Sequence, residues 1–272
     1  MRTLQGSNNL HTIMLAYGTC MKAKEVEIRG QKCRNVRDMA LLLDARKCPV
    51  TAFRARNLNL TYAKKEMLWY LGADPKDDSI EKHATMWKKL KQADGSYFSN
   101  YGQYIFDDAN QPSQFVYVIN TLAEDPQSRR ASMVLLQPKH LFRENTDVVC
   151  TYALQFTIED SMLHMTVLMR SNDIVFGFTN DAFCFWNIMA LVYAVLLKKY
   201  PTLVMGTYTH FAGSMHVYER HYKMLNEIVG EPNGGSFRVD VPFPTSEEAV
   251  ALVKSNGREG DGEYTKWLKA ES

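Results

Sequence analysis

The sequence predicts an α+β fold: a mixed or antiparallel sheet flanked by helices, one of them long and buried at the centre, in a single domain over residues 1–272. Three observations predict it. Helix-forming runs dominate the first half, the chain after Pro126 turns to β-branched and aromatic runs separated by turn residues, and one apolar block of 16 residues interrupts those runs.

Taken in order, Leu58–Leu71 consists of good helix formers and stops at Gly72 with Pro75 just beyond. Ser79–Leu90 reads as a second helix ending before the turn Asp94-Gly95, and Gln114–Ala123 as a third closed by Asp125-Pro126. Strands are expected over Ala131–Leu136, Val149–Ile158, Met162–Arg170 and Leu203–Phe211. Glu159-Asp160-Ser161 joins two of them at hairpin length. Ala182–Leu197, too short at 16 residues for the ~20 that span a bilayer, is expected to be a buried core helix. Lys254–Glu263, polar and rich in Gly, reads as a mobile surface segment.

Composition narrows the function classes. With 46% hydrophobic and 23% charged residues the chain is ordinary globular protein, neither disordered nor fibrous. Five cysteines without paired spacing argue for free thiols in a reducing, cytoplasmic setting. The N-terminus lacks a basic stretch followed by an apolar block, so neither a signal peptide nor a membrane segment is expected. Net charge is only +2, but residues 1–100 hold 18 Lys/Arg against 10 Asp/Glu and the remainder 14 against 20. That excess is too small for a duplex-binding face and suits small anions, which Arg grips bidentately, so no specific nucleic acid is expected.

Individual residues, read alone, leave alternatives open. His216-Val-Tyr-Glu-Arg-His221 matches no helical zinc spacing, and no metal is expected; in extended chain His216 and Tyr218 would share one face and Glu219 and His221 the other. Cys150 is either a small buried hydrophobe or a thiolate nucleophile that needs a nearby cation. Arg129, Arg130 and Arg170 are either solvated or anion-binding. Asp181 is either an N-cap or a ligating carboxylate presented by a helix start. Glu66 is either solvated or held against apolar Met67-Leu68-Trp69 with a raised pKa.

The segments taken together say more. Glu66-Met67-Leu68-Trp69, Trp87, Asn100-Tyr101-Gly102-Gln103, Asp125-Pro126-Gln127-Ser128-Arg129-Arg130, Cys150 with Gln155-Phe156, Arg170-Ser171-Asn172-Asp173, Gly177 and Gly213–Tyr218 occur in the order of the thymidylate synthase family. The chain resembles that family from about residue 58 to 222. Residues 1–57 match poorly and about 223–272 diverge. Within the family, residues 169–181, 99–102 and 213–221 look like the deoxycytidylate 5-hydroxymethylases of T-even-type phages.

The resemblance implies a thymidylate synthase-like fold and a chemistry. Cys150 would attack C6 of a pyrimidine nucleoside monophosphate, and C5 would take a one-carbon unit from 5,10-methylenetetrahydrofolate, with no metal. Glu66 and Tyr101 would manage protons. Asp181 stands where deoxyuridylate enzymes carry Asn, and an acceptor there matches the cytosine amino donor. Arg170 and Ser171 would hold the phosphate, Arg34 would reach it from the N-terminal part, and Arg129 and Arg130 would come from the second subunit of a homodimer. His216 and Tyr218 would hold the sugar, and Trp87, Asp173, Phe176 and Gly177 the folate. The implied activity is deoxycytidylate 5-hydroxymethylation, with cytidylate or deoxyuridylate hydroxymethylase, thymidylate synthase and a non-catalytic nucleotide binder as the other readings. Val149 replaces the usual proline before the nucleophile, and Lys269-Ala270-Glu271-Ser272 replaces the synthase's apolar tail, a difference expected to let water reach the site.

Overall fold

The computed structural model describes residues 1–28, 30–107, 112–142 and 144–271. The chain opens with β1 (Arg2–Leu4), α1 (Asn9–Met21), β2 (Glu25–Ile28), β3 (Gln31–Asp44) and β4 (Thr51–Phe53). Next come α2 (Leu60–Gly72), α3 (Gly102–Ile105), α4 (Gln114–Glu124), β5 (Ser132–Val134), β6 (Thr151–Glu159), β7 (Met162–Met169) and β8 (Asn172–Asp173). The last third holds α5 (Gly177–Leu196), β9 (Val204–Tyr218), α6 (Tyr222–Gly230), β10 (Ser236–Arg238), α7 (Ser246–Lys254) and α8 (Glu263–Lys269).

The main sheet runs β1-β3-β9-β7-β6-β5, with β2 added to β3 and β8 to β9. It is mixed: β9 is antiparallel to β3 and parallel to β7, and β6 is antiparallel to both β5 and β7. The β6–β7 hairpin turns at Asp160 and Ser161, whose φ values of 50° and 58° suit the tight turn that matches strand twist. Along β7, and along β6 and β9 apart from a few irregular positions, burial alternates residue by residue, so one sheet face carries the core and the other is half-exposed. α5 lies in that core, with 15 of its 20 residues buried. It alone among the described helices is long and apolar enough to cross a membrane, and its burial identifies it as an interior helix. None of the five cysteines is joined in a disulfide.

Several elements differ from the sequence expectation. The first half is not mainly helical, because it contains the 14-residue β3, one of the two longest strands. Its alternation is broken by charged Arg34, Arg37 and Asp38, and by a left-handed Asp38 (φ 52°), which hides the period of two. Ser79–Leu90 is two 3-10 turns, Ser79–Lys82 and Thr85–Lys89. Its interior anchors, Ile80 and Trp87, are too few to hold a full helix, and Asp77 takes the Ser79 N–H in a side-chain turn instead. α5 begins at Gly177, so Asp181 lies a turn inside it and does not cap it. The segment after Lys254 is pinned by its own hydrogen bonds, Gly257 N–H to the Leu252 carbonyl (2.7 Å) and Lys269 Nζ to the Arg258 carbonyl (2.6 Å).

Candidate active site

The strand ends assemble the first part. Cys150 enters β6 and Arg170 leaves β7, and the antiparallel pairing puts them side by side, with the Arg170 N–H on the Cys150 carbonyl (2.9 Å). The Arg170 guanidinium folds back over the turn, donating to the carbonyls of Val149 (3.0 Å) and Val148 (2.6 Å) and to Cys150 Sγ (3.4 Å). A half-exposed sulfur thus has a fixed positive charge beside it, the setting in which a thiol serves as nucleophile. Asp147, three residues upstream, accepts the Ser99 hydroxyl and ties this turn to the 99–102 loop. Burial raises its carboxyl, while Ser99 and Arg170 pull it down.

α2 contributes Glu66, buried at 4% exposure. Tyr62 and Tyr70 stand one turn away on either side of it. The Tyr70 hydroxyl donates to Oε1 (2.9 Å), and the Tyr62 hydroxyl accepts the Trp87 indole N–H (3.1 Å). Glu66 Oε2 is buried with no hydrogen-bond partner among the described residues. Burial lifts this carboxyl to about 7, against the pull of the two tyrosine hydroxyls. The 99–102 loop is clamped onto α2 because Gly102 has no side chain, and a Cβ there would stand 1.6 Å from the Tyr70 carbonyl oxygen. That contact sets Tyr101 between Tyr70 (5.4 Å between ring centres) and Phe185 (5.7 Å). Burial first, and then the charges of Cys150 and Asp181, hold the Tyr101 hydroxyl well above its ordinary value, so it stays neutral.

α5 contributes Asp181. Its Oδ2 accepts the Asn172 amide N–H at 2.7 Å. One edge of the side chain is open, but the carboxyl sits deep among packed atoms; burial, with the Glu66 charge second, raises it to about 8. Gly177 makes room for this pair, since a Cβ there would lie 2.9 Å from Asn172 Nδ2. Asp173 accepts the N–H groups of Val175 (3.1 Å) and Phe176 (3.3 Å) and so organises the start of α5. Parallel pairing of β8 with β9 sets Asp173 opposite His216. His216 and Tyr218 do share a face of β9, with ring centres 4.9 Å apart, while Glu219–His221 form a 3-10 turn. Burial lowers the His216 pKa.

Other expected site residues are placed differently. Ser171 is half-buried next to Arg170. Phe176 is exposed at 40%, with the Arg56 guanidinium 4.9 Å over its ring, whereas Trp87 is buried against Trp69 (4.8 Å) and donates to the Tyr62 hydroxyl on the Glu66 helix. Arg34 is not brought into the cluster. It pairs with Val217 and so points to the sheet face opposite His216 and Tyr218, where it donates to the Met21 carbonyl and lies 4.5 Å over the Tyr222 ring. Arg129 and Arg130 are exposed on the turn after α4, outside this chain's own cluster. Among the described residues no group of three or more His, Cys, Asp or Glu is arranged to hold a metal.

A buried carboxyl with an orphan oxygen, a second raised carboxyl and a cysteine under an arginine are thus gathered around Tyr101. The thymidylate synthase family model matches residues 9–241. The chain belongs to the thymidylate synthase family. Members of the family are folate-dependent one-carbon transferases acting on pyrimidine nucleotides. Among individual relatives, the deoxycytidylate 5-hydroxymethyltransferase of Enterobacteria phage T6 is 28% identical over 232 residues, covering 82% of this chain and 92% of the relative. The deoxyuridylate hydroxymethyltransferase of Bacillus phage SP01 is 24% identical over 272 residues, 95% and 70% of the two chains. The thermostable thymidylate synthase A of Bacillus subtilis shares the fold at a TM-score of 0.68 and 20% identity, with 84% of each chain covered.

Sequence reasoning missed Tyr62, Tyr70, Arg56, Asp147 and His210, and it quoted Asn172 without a role. The two tyrosines carried a usable signal, four residues either side of Glu66 on a helix. His210 carried none, because an inward histidine on an alternating strand reads like any core residue.

Proposed function

We propose that this chain is a deoxycytidylate 5-hydroxymethylase that uses 5,10-methylenetetrahydrofolate and water. The observation that carries the reading is Asp181, a buried carboxyl near Tyr101 whose Oδ2 accepts the Asn172 amide N–H at 2.7 Å. A cytosine offers an amino donor where uracil offers a carbonyl. With its proton passed to the cytosine ring nitrogen on binding, Asp181 becomes the acceptor that favours cytosine over uracil, and a mismatched buried pair costs about 1–3 kcal/mol.

In the proposed reaction Cys150 Sγ bonds to C6, and the electron pair of the C5–C6 double bond makes C5 nucleophilic. The folate supplies a one-carbon unit at the oxidation level of formaldehyde. Glu66, near 7, holds or releases a proton at the orphan Oε2, and Tyr101 assists when the C5 hydrogen leaves as a proton. Water adds to the exocyclic methylene and the sulfur departs from C6, so no hydride is consumed and tetrahydrofolate is released unoxidised. Phe176, exposed with Arg56 over its ring, offers a flat apolar and cationic platform for the folate, with Trp87 as a wall, Asp173 at its edge and Gly177 leaving room. Arg170 and Ser171 hold the phosphate; His216 and Tyr218 hold the sugar.

A second copy of the chain fits the half-exposed sheet face, where Gln155, Thr157, Thr166, Leu168 and Phe211 are neither buried nor fully open. Exposed Arg129 and Arg130 are available to reach a partner's phosphate site. Cysteines without disulfides suit the cytoplasm, a host's if the gene is phage-borne.

The test is incubation with methylenetetrahydrofolate and C5-tritiated deoxycytidylate, following tritium release and dihydrofolate absorbance together. Release without dihydrofolate supports hydroxymethylation. Release with dihydrofolate makes the enzyme a methylating one. Release only from deoxyuridylate or cytidylate moves the error to base or sugar recognition.

A further inference from the structure

Behind Asp181 lies a chain of buried hydrogen bonds that the reaction does not use directly. The Tyr208 hydroxyl meets His210 Nδ1 at 3.0 Å, His210 Nε2 meets Asn172 Oδ1 at 3.1 Å, and Asn172 Nδ2 meets Asp181 Oδ2 at 2.7 Å. Tyr208 and His210 are fully buried and Asn172 is 4% exposed, so water does not compete for these groups. We propose that His210 is a positioning residue for base choice, orienting the Asn172 amide so that Asp181 Oδ2 is always the acceptor and Oδ1 alone faces the base.

The donor logic runs through every link. With the Asn172 amide N–H on Asp181, its Oδ1 is turned to His210 and needs a donor there. His210 then carries its proton on Nε2, which leaves Nδ1 to accept from Tyr208. Burial keeps the imidazole neutral, so it offers one donor and one acceptor, and the polarity runs one way from Tyr208 to Asp181. Phe178, edge-on to the His210 ring at 5.0 Å and 88°, fixes the ring plane. Gly177 admits the Asn172 amide where any larger residue would meet it at 2.9 Å. Without a donor at His210 the amide is free to flip and present oxygen to Asp181, which drives a proton onto Oδ2 and changes what the base meets.

This inference rests on base reading by Asp181, and the experiment separates the two. C5 tritium release from deoxycytidylate and from deoxyuridylate is compared for the wild type, Asp181→Asn, His210→Gln and His210→Leu. Gln places an amide N–H where Nε2 stood, so His210→Gln is expected to keep the wild-type ratio within about three-fold, whereas His210→Leu lowers it about ten-fold or more. Loss of both activities in equal proportion in His210→Leu, or an equal change of ratio in His210→Gln and His210→Leu, overturns the proposal. If Asp181→Asn shifts the ratio and His210→Leu does not, the relay fails and base reading stands; if neither shifts it, both fail. Should His210→Leu not fold, His210→Ser, too short to reach Asn172, takes its place in the same comparison.

Discussion

Asp181→Asn tests the site in two independent ways. In the folded chain the carboxyl sits near 8, raised first by burial and then by Glu66, against 3.8 when exposed. Between those values the native state holds a proton that the unfolded chain has released, so Asp181 contributes less to stability as pH rises from about 4 to 8. Discounted for its open edge and for sharing the effect with Glu66, the loss across that window is of the order of 2 kcal/mol. Asn keeps an acceptor for the Asn172 amide and has no charge to bury. The variant should therefore melt higher than the wild type by about 4–6 °C more at pH 8 than at pH 5, by calorimetry. In activity, the group facing the base becomes an amide donor, and tritium release from deoxycytidylate should fall about 5- to 150-fold relative to deoxyuridylate. An equal melting gain at both pH values means that the carboxyl is not held up by burial. An unchanged substrate ratio means that Asp181 does not read the base.

Cys150→Ser should abolish turnover on every pyrimidine nucleotide while leaving nucleotide affinity within a few-fold by calorimetric titration; retained turnover would remove the covalent step. Glu66 is held near 7 by burial, so its basic form is lost as pH falls through that value. The wild-type rate should drop on the acid side with a midpoint near 7, and Glu66→Gln should lose that limb together with about 10²-fold of C5 exchange; an unchanged profile would assign the limb elsewhere. Gly102→Ala places a methyl 1.6 Å from a backbone oxygen with no flexible group to yield, and it should cost at least about 3 kcal/mol or prevent soluble expression. Gly177→Ala crowds the Asn172 amide at 2.9 Å and meets Asp173 and Asp181 only at ordinary contact distance, so it should lower activity at least about ten-fold with a small change in melting temperature; a large melting loss would make Gly177 a folding requirement instead.

Local chemistry was readable in the linear chain wherever one element carries its own pattern. The 20-residue apolar helix, the β6–β7 hairpin with its two left-handed turn residues, and α2 with its stop at Gly72 all follow from spacing and turn chemistry. The ordered motifs around Glu66, Tyr101, Cys150, Arg170 and Asp181 also picked out residues that the fold brings near one another. Pairing between distant strands was not readable. β3 joins β9 across about 170 residues of sequence, from Cys33 opposite Tyr218 to Asp44 opposite Thr207, and its charged positions conceal the alternation that would announce it. That register sends Arg34 to the far face and keeps His216 and Tyr218 on the near one. Asp181's surroundings were decided in the same way. Whether it caps, pairs or reads a base depends on a neighbour contributed by β8, on a histidine from β9 behind that neighbour, and on a glycine that lets them meet. Sequence by itself determined which functional groups the chain possesses; only the tertiary structure decided which groups meet in the dry interior, where a hydrogen bond or a charge has its full effect.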